Sequence, residues 1–211
     1  GLEVAAAILM RPEREPSVRG LAKELQRAPS TVSDVLAALR RSDLLDRKNK
    51  LAGTGLFWQL ATRWTAPRTY LAQIPLPGVE NNLRQPLSLN RFDVESQPGW
   101  ALTDTLAAAV LGAPVAASSG QVHDFYVPSA SILRRAITPL GPTTSAHHAR
   151  CSVRVAPVPA ACSQRIDLAN NPTEWPVAHP VFVALDLAQD EGRGREILES
   201  WNPKGRWTRV W

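Results

Sequence analysis

Apolar positions recur at helical spacing three times in the first forty residues. Leu2, Val4, Ala5, Ile8 and Leu9 trace one face, and the two prolines of RPEREPS end it. Val18, Leu21, Ala22 and Leu25 fall at i, i+3, i+4 and i+7 behind Ser17, a candidate N-cap. Val32, Val35, Leu36 and Leu39 repeat that spacing, so a third helix is expected over 31–41, with Ser30 as its cap. The pattern then changes. SDLLDRKNKLAGTGLFWQL predicts a short apolar strand at Leu44 and Leu45, a basic tip over 47–50 and an apolar return over 56–60. The return fits a second strand, but Leu56, Leu60 and Trp64 also fit a helical period, and the spacing alone leaves both open.

Beyond residue 65 the punctuation is different. Pro67, Pro75, Pro77, Pro86 and Pro98, with Gly78 and the polar ENN, predict a linker or extended arm over 67–90 between a first domain, 1–66, and a second, 91–211. In the second domain WALTDTLAAAVLG reads as a helix, HDFYVP as a strand, SASILRRAITPLG as a helix and RCSVRVAPV as an alternating strand. VFVALDL reads as an apolar strand and GRGREILESW as a closing helix. The expectation is an α+β protein with an α/β-type C-terminal domain.

Charge sharpens this division. The chain of 211 residues carries a formal +5, and residues 1–66 hold 11 Lys and Arg against 7 Asp and Glu, whereas 67–211 hold 13 against 12. The basic excess thus sits in the first third, where a polyanion would dock. No apolar run approaches the roughly 20 residues of a membrane helix, so no membrane partner is expected. The opening GLEVAAAILMRPER lacks the leading basic region of a signal peptide, and Gly1 is read as a remnant of trimming. Cys151 and Cys162 cannot make a disulfide framework, which fits a reduced cytosol. Arginine outnumbers lysine 20 to 4, which together with heavy Ala and Pro usage suggests a GC-rich bacterial genome.

Three short helices, a tight turn before the third and a basic hairpin form the winged helix-turn-helix pattern. A recognition helix needs an apolar inner stripe and small or polar outer side chains that can enter the major groove. The outer candidates are Ser30, Thr31, Ser33 and Asp34 at its start and Arg40 and Arg41 further along. Arg47, Lys48 and Lys50 of the tip would lie against a phosphate backbone, with Ser17 before the second helix, Arg19 on it and Arg27 in the turn QRAPS after it as further contacts.

Residues 2–64 resemble the winged helix transcription regulators of bacteria in LAKEL, STVSDVLAALRR and SDLLD, which occur in order at the usual spacing, although RAPS stands where such turns carry glycine or small apolar residues. The order of GWALTDTLAAAVLGAP, HDFYVPSA and HPVFVALDLAQDEGRGREILESW resembles the AbiEi-type antitoxins of type IV toxin–antitoxin systems. These resemblances imply a repressor of the bacterial cytosol, close to the nucleoid, that binds double-stranded DNA as a homodimer. They also imply a second domain for dimer contacts or a toxin partner. The alternative is a nucleic-acid-processing enzyme or an adaptor whose winged helix positions a substrate.

Other constellations favour structure over chemistry. Asp186, Asp190, Glu191, Glu196 and Glu199 cluster at the end of VFVALDL, where Mg²⁺ could be held. Arg193 and Arg195 interleave with them, however, and capping and solvated ion pairs are the expected roles. His147, His148 and Cys151 lack the spacing of a metal site, and His123 and His179 are isolated. Ser129 and Ser131 lack a nucleophile-elbow context, and GRGR lacks the lysine of a phosphate-binding loop. Catalysis, metals and cofactors are therefore not expected. The tail WNPKGRWTRVW alternates aromatics with Lys204, Arg206 and Arg209, and its tryptophans are expected to fold back onto the core.

Overall fold

The computed structural model describes residues 1–75, 87–89, 94, 97–118, 120–169, 171–203, 205 and 207–211. It is an α+β fold, with helices packed around one four-stranded sheet. The chain begins with α1 (Leu2–Met10), in which every residue from Val4 to Met10 is buried. A helix apolar on all sides must be covered on all sides. Here α2 (Val18–Leu25) and α4 (Gly55–Ala61) pack against it, as do two helices from late in the chain.

Local chemistry sets the next boundaries. Ser17 caps α2 by accepting from the Gly20 N–H at 3.0 Å. The third helix, α3 (Pro29–Arg41), starts at Pro29, with Ala28 extended before it, because proline suits the first helical turn and forces its predecessor out of helical geometry. Ser30 therefore lies inside the helix and is not its cap. After α3, one bridge joins Leu45 to Leu51. The Asp46 carboxylate holds the tip by accepting from the N–H groups of Lys48 and Lys50, both at 2.8 Å. The return that follows is α4, so the helical alternative holds.

The sheet has the order β1-β4-β3-β2: β1 (Thr69–Leu71), β2 (Ala101–Thr103), β3 (His123–Val127) and β4 (Cys151–Val155). The parallel pair β3/β4 is joined across α6 (Ala130–Leu140), as a parallel crossover requires, and the two outer pairings are antiparallel. The segment read as a linker thus enters the fold at once, because residues 69–71 are an edge strand; residues 76–86 and 90, with Pro77, Gly78, ENN and Pro86, lie outside the described residues. WALTDTLAAAVLG divides into β2 and α5 (Asp104–Val110). A short helix, α7 (Ala160–Ser163), follows β4.

VFVALDL is not a strand. It belongs to α8 (Pro180–Leu187), whose eight residues are all buried, so the run has no polar face to reveal its period. The boundary signals were present: Pro180 opens the helix, and His179 Nδ1 accepts from the Val181 N–H at 3.3 Å. α9 (Arg193–Ser200) packs on α8 so closely that a Cβ at Gly194 would lie 1.8 Å from the Leu187 carbonyl oxygen. The tail does fold back: the Trp211 ring lies 4.8 Å from Trp201 and 5.8 Å from Phe57, and its indole donates to the Leu198 carbonyl. Lys204 and Arg206 lie outside the described residues.

One buried carboxylate ties the two ends of the chain together. Asp186 on α8 accepts from Tyr126 and Thr103 hydroxyls, from the Trp64 indole at 3.0 Å and from Arg154 at 2.9 Å. Trp64 follows α4, stacks on Phe182 at 5.5 Å and also donates to the Tyr126 hydroxyl. All four partners are donors, so Asp186 serves them as a carboxylate even though burial pushes its pKa upward. Arg154 also reaches Asp104 at 3.5 Å, and Arg68 pairs with both Asp104 and Asp124. Burial, with Asp104 nearby, pushes the Asp124 carboxyl up to about 6, against the pull of Arg68, the Ser152 hydroxyl and Arg154.

Removing the centre of this network strands Arg154 without its closest counter-charge. Asp186→Ala should cost about 3–5 kcal/mol in urea unfolding, and Tyr126→Phe, which keeps the ring, about 1–3 kcal/mol. A loss below about 1 kcal/mol for Asp186→Ala would contradict the assignment. Asp124 gives a pH signature. Its raised pKa means that the native state binds the proton more tightly than the unfolded chain, so its contribution falls as pH rises from about 4 to about 6. Asp124→Asn should therefore gain on the native protein across that window, by on the order of 2 kcal/mol; a pH-independent difference would refute this.

Candidate nucleic-acid interface

The inner face of α3 is apolar: Val32 and Leu36 are buried, and Val35 and Leu39 are partly buried against the core. Its other face begins with Ser30, Thr31, Ser33 and Asp34, all exposed, whose side chains make no hydrogen bond among the described residues. No side chain caps the helix N-terminus, so its first N–H groups and their partial positive charge face outward.

The cations divide into free and committed groups. Arg19, Arg41 and Arg47 are exposed and make no hydrogen bond or ion pair among the described residues. Arg27 is committed, because its guanidinium grips Glu3 at 2.9 Å through two nitrogens. That hydrogen bond holds the Glu3 carboxyl below its ordinary value and raises Arg27. Lys50 lies 3.2 Å from Glu15 and Lys48 4.0 Å from the same carboxylate, so this acid, overlooked in the sequence, tempers the tip.

Arg40 is half-buried and donates to the Asn49 side-chain oxygen, while the Asn49 amide donates to the Pro16 carbonyl at 3.1 Å. The tip is thus tied to α3 on one side and to the entry of α2 on the other. Arg40 holds this arrangement together and does not stand with the exposed groups. Ser17 is likewise spent as a cap. Lys23 is exposed and one turn beyond Arg19, so the i, i+4 spacing of these two puts them on one face of α2, while Arg27 lies past the helix end and is held by Glu3.

The tight turn works without glycine. Gln26 adopts the left-handed conformation (φ 53°, ψ 44°), and the N–H of Arg27 returns to the Ala22 carbonyl at 3.0 Å. The left-handed residue that the turn needs stands one position before RAPS.

The acidic cluster does not converge. Asp186 is fully engaged in the core. Asp190 accepts from the N–H groups of Gly192 and Arg193, and Glu199 pairs with Arg195 at the surface. Among the described residues no three His, Cys, Asp or Glu side chains could hold a metal ion, and no helix is long and apolar enough to cross a membrane. Both cysteines are buried and free, and burial pushes the Cys151 thiol up to about 12. No family model, curated protein or solved structure matches this chain.

Because Gln26 carries a side chain in a conformation that glycine adopts without strain, Gln26→Gly should stabilise the fold by about 0.5–1 kcal/mol. Thermal unfolding checks this, and a destabilisation would show that the Gln26 side chain does more than fill the turn.

Proposed function

We propose that residues 2–64 act as a winged helix-turn-helix, and that the chain is a sequence-specific DNA-binding regulator, a repressor that binds as a homodimer. The observation that carries this reading is the outward half of α3: four small polar side chains, exposed and unpartnered, beside an uncapped helix N-terminus. Small hydroxyls let a helix approach base edges closely, and free N–H groups at its start suit a phosphate. Arg19 and Lys23 on α2 supply backbone contacts on one flank, and Arg47 on the tip supplies them on the other.

The sheet and its helices then serve dimerisation or a protein partner, which a toxin would be if the likeness to AbiEi-type antitoxins extends to function. A regulator of this kind works in the bacterial cytosol at the nucleoid. In this reading Arg40 keeps the tip in place, and its loss weakens binding without altering base preference.

A selection of genomic fragments at near-physiological salt, followed by a salt titration of the best fragment, tests the proposal. One palindromic site should emerge, with half-sites about one helical turn apart. Arg47→Ala should weaken every sequence alike and lower the salt slope by about 1. Arg40→Ala should also weaken all sequences. Arg41→Ala should cost about 1–3 kcal/mol on the selected site and relax one base position. Equal binding to all fragments, or unchanged affinity in all three variants, would overturn the reading.

A further inference from the structure

A cleft of about 370 Å³ opens beside the buried ionic network, between the start of α5 and the α8–α9 turn. Volumes of this order hold metabolite-sized ligands. The cleft is lined by Asp104, Asp124, Asp190, Arg68 and Arg193, and by Asp186, whose carboxylate is fully buried behind the wall together with Arg154. Four carboxylates thus meet three guanidiniums, and one negative charge is left over.

The hydrogen bonds locate that charge. Asp186 already has its four donors. Asp104 takes Arg68 and Arg154 on one oxygen and the N–H and hydroxyl of Thr105 on the other. Asp124 takes Arg68 at 3.0 Å and the Ser152 hydroxyl, both on Oδ1. Its Oδ2 makes no hydrogen bond among the described residues, although the side chain is only 7% exposed. At the mouth, Asp190 spends Oδ1 on two backbone N–H groups and leaves Oδ2 likewise without a partner. Val115 and Ile197 supply apolar surface in the same wall.

We propose that this cleft is a binding site for a small aliphatic amine, whose ammonium pairs with Asp124 Oδ2 and whose alkyl stem lies along Val115 and Ile197. An ammonium supplies both the missing positive charge and N–H donors for the open carboxylate oxygen, at a depth where a charged contact is poorly screened. A second amino group on a short chain would serve Asp190. An anion would meet the excess negative charge and gain nothing from Asp124. The cleft also touches the first part of the chain: Asp186 binds the Trp64 indole, and the Gln189 amide donates to the Ala61 carbonyl at 3.1 Å. An occupant therefore braces the same contacts that hold α4 in place.

Calorimetric titration of the full chain at pH 7.5, with no DNA present, tests this apart from the proposed DNA reading. The probe is 1,4-diaminobutane, with 1,4-butanediol as its uncharged counterpart. Saturable binding of the diamine alone is expected, weakened at least tenfold by Asp124→Asn, which keeps an acceptor for Arg68 and Ser152. Ala116→Trp, at an exposed position on the cleft wall, should abolish binding while leaving the fold intact. The proposal is overturned by no saturable binding, by equal binding of the diol, or by diamine affinity unchanged in Ala116→Trp. Diamine affinity unchanged in a folded Asp124→Asn would overturn it too.

Discussion

The carboxylate of Asp186 is the constraint on which the molecule's architecture depends. A buried charge is tolerated only with its partners in place, and here these come from four separate parts of the chain: Trp64 after α4, Thr103 at the end of β2, Tyr126 on β3 and Arg154 on β4. Satisfying one side chain therefore fixes the N-terminal helices against the sheet. The apolar core agrees, running without a break from α1 through the sheet to Trp211. If α3 reads DNA, its orientation in a dimer is set by the whole chain and not by a tether.

The charged residues fall into two populations with different physics. Arg154 and Arg68 sit in or at the edge of the core, where their pairings are specific and costly to break. Arg19, Arg41 and Arg47 stand in water with no partner among the described residues, where charge acts through long-range attraction and is screened by salt. Net charge near the termini would not separate these cases. Hydrogen-bond partners do: Arg19, Arg41 and Arg47 are unpaired among the described residues beside a helix whose outer face is small and polar, while the exposed Arg63, Arg134, Arg135, Arg150 and Arg193 are likewise unpaired elsewhere on the surface.

The sequence was most legible where one face is wet. α2 and α3 showed their apolar stripes, and the tail's tryptophans were too costly to expose. It was least legible where both faces are dry: α8 passed for a strand because all eight of its residues are buried, and α1 showed one stripe although it is buried from Val4 to Met10. Prolines misled twice, since those before residue 76 frame an edge strand and Pro29 displaced Ser30 from the cap. The basic stripe on α2 was half seen, and Arg40 was misplaced because its partner Asn49 is fixed by tertiary contacts. The Asp104–Asp124–Asp186 network could not be foreseen, because only the fold brings these distant carboxylates together.

The central claim, that the N-terminal half of α3 faces the nucleic acid, can be tested by placing a photo-crosslinker there. Both native cysteines are buried, so a cysteine introduced at the exposed Ser33 can be labelled alone, with one at the exposed Ser200 on α9 as a reference. In complex with the selected duplex, position 33 should crosslink to a base and position 200 should not. Crosslinks from position 200 with none from position 33 would contradict the account.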